Sequence, residues 1–171
     1  MALKYLFSPI TTVEKIVVIR PAIPACDDSI GHLPGDAFDK MYPYFGSILD
    51  NIEHFIDRPK VRHLINQELL EIIPLSFLRG RTLRNSFIIV EEAQNISIDG
   101  MKMILTRVGE GSTIVVTGDI NQRDKPRVEC GLLDATQRFE DMEDFGIIEL
   151  YKDEDVVRNT TTSKIIERYG D

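Results

Sequence analysis

The sequence predicts a layered α/β domain built on a mostly parallel sheet. Short β-branched apolar runs alternate with helical patterns along the 171 residues. The runs lack in–out alternation, which suits strands covered on both faces, as in a parallel sheet. Charged or hydroxyl side chains follow several runs at once, and sheets of this kind bind ligands beyond the carboxyl ends of their strands.

Lys15 to Arg20 (KIVVIR) reads as a buried strand, as do Phe87 to Val90 (FIIV) and Thr113 to Thr117 (TIVVT). Gly146 to Leu150 (GIIEL) is expected as a fourth. Glu71 to Leu75 (EIIPL) is a weaker fifth, because Pro74 cannot donate to a ladder and belongs at a strand end or edge. Between them, Asp36 to Phe55 has helical spacing, with Pro43 expected to break or kink it. Pro59 opens another helical pattern reaching about Leu70. Asp99 to Val108 puts Met101, Ile104, Leu105 and Val108 on one stripe. Glu129 to Met142 and Thr162 to Tyr169 complete the helices, and strands alternating with helices imply right-handed crossovers. With no linker or low-complexity stretch, residues 1–171 read as a single domain.

The formal net charge of −8 argues against a protein that simply coats nucleic acid, since phosphate binding needs clustered Lys and Arg. A local basic patch remains: Arg79, Arg81 and Arg84 fall between Leu78 and Arg84, although the same residues suit a solvated loop. Cys26 and Cys130 form no CxxC pair, which disfavours a structural disulfide or zinc site and fits a reducing compartment. No apolar run approaches the roughly 20 residues of a membrane span. Met1 to Phe7 carries no cleavage pattern and reads as part of a helix, so a cytoplasmic protein is expected.

Three clusters carry chemistry. In the first, Phe87 to Asn95, an apolar strand ends in Glu91 and Glu92. One such carboxylate can hold magnesium while the next orients an attacking water, and adjacent acids on an extended chain point in different directions. The pair would equally suit a loop or helix start, where carboxylates are favoured anyway. In the second, Thr113 to Gln122, the groups Thr117, Asp119 and Gln122 follow another strand and could sense a terminal phosphate, although Gly118 and Asp119 also make an ordinary turn. In the third, Glu154 to Arg158, an arginine could neutralise charge on a transferred phosphoryl group, or simply be exposed.

In this order the clusters resemble the PhoH-like ATPase family. The matching stretches are Arg20-Pro-Ala22, Gly31 to Asp36 (GHLPGD), Arg79-Gly-Arg-Thr82 and Glu92-Ala-Gln-Asn95. Met101 to Arg107, Val116-Thr-Gly-Asp119 with Gln122, and Asp155-Val-Val-Arg158 follow. No single stretch is diagnostic, but together they run from about Lys15 to the end. The resemblance implies a RecA-like P-loop NTPase core, related to superfamily 1 helicases, that binds ATP with Mg2+. It also implies links to RNA unwinding or processing and ring-like homo-oligomers. By the same resemblance, Glu91 takes the metal-side position, Glu92 the catalytic carboxylate, and Thr117, Gly118, Asp119 and Gln122 the sensor motif. Arg158 takes the late arginine position, and Arg20, Arg79 and Arg81 lie near the nucleotide or the nucleic-acid path.

Two departures qualify the likeness. The family usually has Asp where this chain has Glu91, and the extra methylene lengthens the reach to a metal. The second is that no GxxxxGK(S/T) stretch occurs in the sequence, so the backbone N–H cradle and phosphate-binding lysine of that loop are not among these residues. In the family the loop precedes the helix that Met1 to Phe7 resembles. An N-terminally truncated ATPase core, inactive alone, is therefore expected. The alternative is a non-catalytic RNA- or protein-binding descendant of the fold.

Overall fold

The computed structural model describes residues 1–21, 37–124 and 129–150, together with Lys164 and Arg168. The element order is α1 (Ala2–Leu6), β1 (Lys15–Arg20), α2 (Ala37–Glu53), α3 (Arg58–Asn66), β2 (Leu70–Pro74), β3 (Ser86–Val90), α4 (Ile98–Leu105), β4 (Thr113–Val116) and α5 (Gly131–Arg138). Short 3-10 turns occupy Leu75–Leu78 and Ala93–Asn95. The strands form one sheet in the order β2-β1-β3-β4, and every pairing is parallel. This is the α/β arrangement expected of a P-loop-type domain.

Alternate residues of β1 serve two cores, as a strand covered on both faces requires. Ile16 and Val18 pack with Phe45, Ile48 and Leu49 of α2 and with Val61 and Leu64 of α3. Val17 and Ile19 pack on the opposite face with Ile88, Val90, Ile96, Met101 and Ile104. Burying one such Val, Leu or Ile side chain contributes about 1.5–3 kcal/mol. Pro74 ends β2, which among the described residues pairs only with β1 and so lies at a sheet edge, as its sequence required.

Helix starts follow local chemistry. The Asp57 side chain accepts from the backbone N–H of Lys60 and caps α3, with proline in the first turn. The Ser97 hydroxyl accepts from the N–H of Gly100 and starts α4 ahead of Asp99. Glu68, with φ of 57°, turns the chain out of α3 toward β2, so that helix stops short of Leu70.

Three expectations need correction. Pro43 does not break α2, which runs unbroken over 17 residues; burial of Phe45, Ile48 and Leu49 outweighs the lost backbone bond. Gly146 to Leu150 makes no strand, with Ile148 87% and Leu150 74% exposed. An apolar β-branched run becomes a strand only where a ladder partner accepts it. The helix expected over Glu129 to Met142 is confined to Gly131–Arg138. Thr162 to Tyr169 lies outside the described residues, except that Lys164 and Arg168 are helical and exposed.

The chain divides into two compact units, Met1–Gln137 and Arg138–Asp171. The first holds the entire sheet. In the second, the rings of Phe139 and Phe145 stack with centroids 4.7 Å apart. Among the described residues no helix is long and apolar enough to cross a membrane.

Candidate functional site

The register of the parallel strands sets the site. Ile19 pairs with Val90, and Val90 with Val116. The next residues, Arg20, Glu91 and Thr117, therefore stand level on three neighbouring strands at the carboxyl edge. The ladder carries on through them: Glu91 N–H donates to the Ile19 carbonyl at 3.0 Å, and Thr117 N–H to the Val90 carbonyl at 2.8 Å.

Arg20 faces both acids. Its Nε lies 3.7 Å from Oε2 of Glu91, and its Nη2 lies 3.8 Å from Oε1 of Glu92. Burial pushes the Glu91 carboxyl up; Arg20 opposes the shift and the neighbouring Glu92 charge adds to it. Glu92 leaves the strand direction altogether. Its φ of 53° and ψ of 36° are left-handed and turn the chain into the Ala93–Asn95 turn. A non-glycine residue held there costs roughly 1–3 kcal/mol and persists because its surroundings impose it. The two carboxylates thus differ in setting: the Glu91 side chain is 29% exposed and that of Glu92 48%.

The segment after β4 closes the other side. Thr117 donates its hydroxyl to the Val90 carbonyl at 3.2 Å. Asp119 turns its carboxylate back on its own loop, accepting from Asn121 N–H at 2.9 Å and from Gln122 Nε2 at 2.8 Å. Gly118 is needed for close approach: a Cβ there would meet Gln94 Oε1 at 2.6 Å and the Gln94 backbone nitrogen at 2.9 Å.

Seven residues singled out in the sequence are therefore gathered at one edge: Arg20, Glu91, Glu92, Thr117, Gly118, Asp119 and Gln122. Arg81 is engaged elsewhere, its Nη2 lying 2.6 Å from Oε2 of Glu71, whose Oε1 lies 2.5 Å from Lys15 Nζ. Arg79 is exposed just past the Leu75–Leu78 turn and makes no ion pair with the acids among the described residues. Arg158 and the Gly31 to Asp36 stretch lie outside the described residues. Sequence reasoning gave Gln94 no role, yet it is 5% exposed and bonds to both halves of the site. Its signal was a polar side chain between Ala93 and the apolar start of α4.

Among the described residues no three His, Cys, Asp or Glu form a metal cage by themselves. Glu91 and Glu92 offer the hard oxygen donors that suit magnesium, which typically takes one or two carboxylates and completes its shell with phosphate oxygens and water.

The four-stranded parallel sheet with its flanking helices is an α/β fold consistent with a P-loop-type domain. The chain matches the PhoH-like protein family over residues 1–170 and belongs to that family. It is 41% identical over 161 residues to Protein PhoH of Escherichia coli K12, covering 92% of this chain and 45% of that protein. It is 39% identical over 158 residues to the PhoH-like protein of Bacillus subtilis, covering 92% and 49%. The PhoH-like protein of Synechocystis is 39% identical over 158 residues, covering 91% and 47%. The chain thus spans less than half the length of these relatives.

Proposed function

We propose that this chain carries the carboxylate and sensor side of an ATP·magnesium site, and that it hydrolyses ATP in work on RNA when a phosphate-binding loop is joined to it. The observation that carries the reading is the level alignment of Arg20, Glu91 and Thr117. It brings the acid pair and the start of the loop that ends in Gln122 to the same carboxyl edge of the sheet. Glu91 would hold the metal. Glu92, turned aside by its left-handed backbone, would orient the attacking water. Arg20 balances the acids when no cation is bound. Bound magnesium would neutralise phosphate charge. Gln122 belongs to the loop that would sense the terminal phosphate, and Arg158, by family resemblance, would neutralise charge developing on it.

The test compares two proteins. One is residues 1–171 alone; the other carries the family's GxxxxGK(S/T) segment fused upstream. A labelled ATP analogue is titrated into each with magnesium, and phosphate release is followed. The short form should bind weakly and turn over near background. It lacks several charge-assisted bonds worth about 1.5–3 kcal/mol each, and losing three costs more than a thousandfold in affinity. The fused form should bind and hydrolyse. Micromolar binding with clear turnover by the short form, or an inert, well-folded fused form, contradicts the reading.

A further inference from the structure

A primary amide is the only neutral side-chain group that offers two N–H donors and a carbonyl acceptor together. Gln94 uses both functions. Its Nε2 donates to Oε2 of Glu92 at 2.8 Å and to the backbone carbonyl of Gln122 at 3.3 Å. Its Oε1 accepts from Asp119 N–H at 3.2 Å. The orientation of the amide is dictated by its partners. A carboxylate and a carbonyl both need a donor, and a backbone N–H needs an acceptor, so a flipped amide would mismatch all three.

The neighbouring side chain repeats the pattern: Asn95 Oδ1 accepts from Asp124 N–H at 2.9 Å. The two amides of one turn hold the loop after β4 at Asp119, Gln122 and Asp124. Gly118 lies against the same amide so closely that no Cβ fits between them. Gln94 is nearly buried, so water does not readily replace a bond it loses.

We infer that Gln94 is a positioning residue that locks the Glu92 carboxylate to the Thr117–Gln122 loop, so that the two move as one unit. The inference rests on the proposed role of Glu92 for its effect on turnover, but not for the coupling itself. Among the described residues the Glu92 carboxylate makes no bond of its own to the loop; its contact runs through the Gln94 amide. A ligand that draws in one side must therefore shift the other or break this amide's bonds.

The coupling is read first by amide hydrogen exchange on residues 1–171. Gln94→Met keeps the volume and removes the amide. It should speed exchange over residues 117–124 by about tenfold, as expected for two lost hydrogen bonds. Exchange in β1 and β2 should not change. Glu92→Ala should also speed exchange over residues 117–124, although residue 92 has no bond there. Should Gln94→Met lose protection in β1 as well, Gln94→Asn replaces it, keeping an amide too short to span both partners; faster exchange confined to 117–124 is again expected. Unchanged exchange over 117–124 in these variants overturns the inference, whatever the protein hydrolyses.

Turnover is read second, in the fused protein described above. Gln94→Met should lower kcat about 10- to 100-fold, the usual cost of removing a group that orients a reacting one, with KM for ATP within threefold. A proportional rise in KM with unchanged kcat would overturn the positioning role. If the parent does not hydrolyse ATP, the functional proposal fails and the exchange result alone decides the coupling.

Discussion

Arg20 Nε stands 3.7 Å from Oε2 of Glu91 at the ends of adjacent parallel strands, and the Glu91 carboxyl is nonetheless raised above its ordinary value of 4.5. Burial, helped by Glu92, outweighs this loose ion pair. The folded protein then holds the proton more tightly than the unfolded chain. Stability falls as pH rises from 4.5 through the folded value, and ionised Glu91 is a net cost at neutral pH. Glu91→Gln should therefore raise Tm at pH 7, with the gain vanishing below pH 4.5. Thermal melts across that range check it, and a lower Tm at pH 7 would contradict the account.

Glu71 shows the opposite balance. Burial alone would raise its carboxyl, but hydrogen bonds and charge from Lys15 and Arg81 hold it below the ordinary value. The stability it contributes is present above pH 4.5 and is lost as pH falls through the lower folded value. Glu71→Gln should cost about 1 kcal/mol at neutral pH, allowing for the partial exposure of its partners. That corresponds to a Tm lower by about 2–4 °C, and the difference should shrink in acid. An equal difference at pH 7 and at pH 3 would show that charge is not the cause.

Gly118→Ala should be destabilising, because the backbone of Gln94 stands in the way of the new Cβ and cannot rotate aside. Overpacking of this kind costs about 1–3 kcal/mol. Urea unfolding should show a lower midpoint with little change in slope. A midpoint equal to the parent's would mean that the loop after β4 yields freely.

Arg79 is exposed beyond the end of β2, beside Phe77, which is 69% exposed. If this rim meets RNA, Arg79→Ala should weaken oligo-U binding and reduce the salt dependence of affinity by about one phosphate contact. Titrations of a labelled oligonucleotide at several salt concentrations measure the slope. An unchanged slope would remove Arg79 from the nucleic-acid path.

Most of the sheet was legible because Ile16 to Ile19, Phe87 to Val90 and Thr113 to Val116 are β-branched or aromatic runs with no competing helical spacing. Their polar successors marked the carboxyl edge for the same reason. Gly146 to Leu150 has equal β character, but propensity says nothing about whether a ladder partner is at hand. Pro43 does not break α2, and among the described side chains Phe45, Ile48 and Leu49 bury that helix. The ion pair of Arg81 with Glu71 was not legible, because it joins a loop residue to the strand β2 and follows only from the fold. Gln94 went unassigned because its role depends on Asp119 and Gln122, about 25 residues further along the chain. That proximity follows only once β3 and β4 pair in register.

The most direct test of the central claim is Glu92→Gln in the fused protein, read by ATP binding and single-turnover hydrolysis. Glutamine keeps the size and an acceptor oxygen but loses the negative charge that orients or deprotonates water. Binding should stay within about threefold of the parent, while the chemical step slows by about 10²-fold or more. Hydrolysis within about twofold of the parent would contradict the assignment of Glu92 and the ATPase reading of this edge.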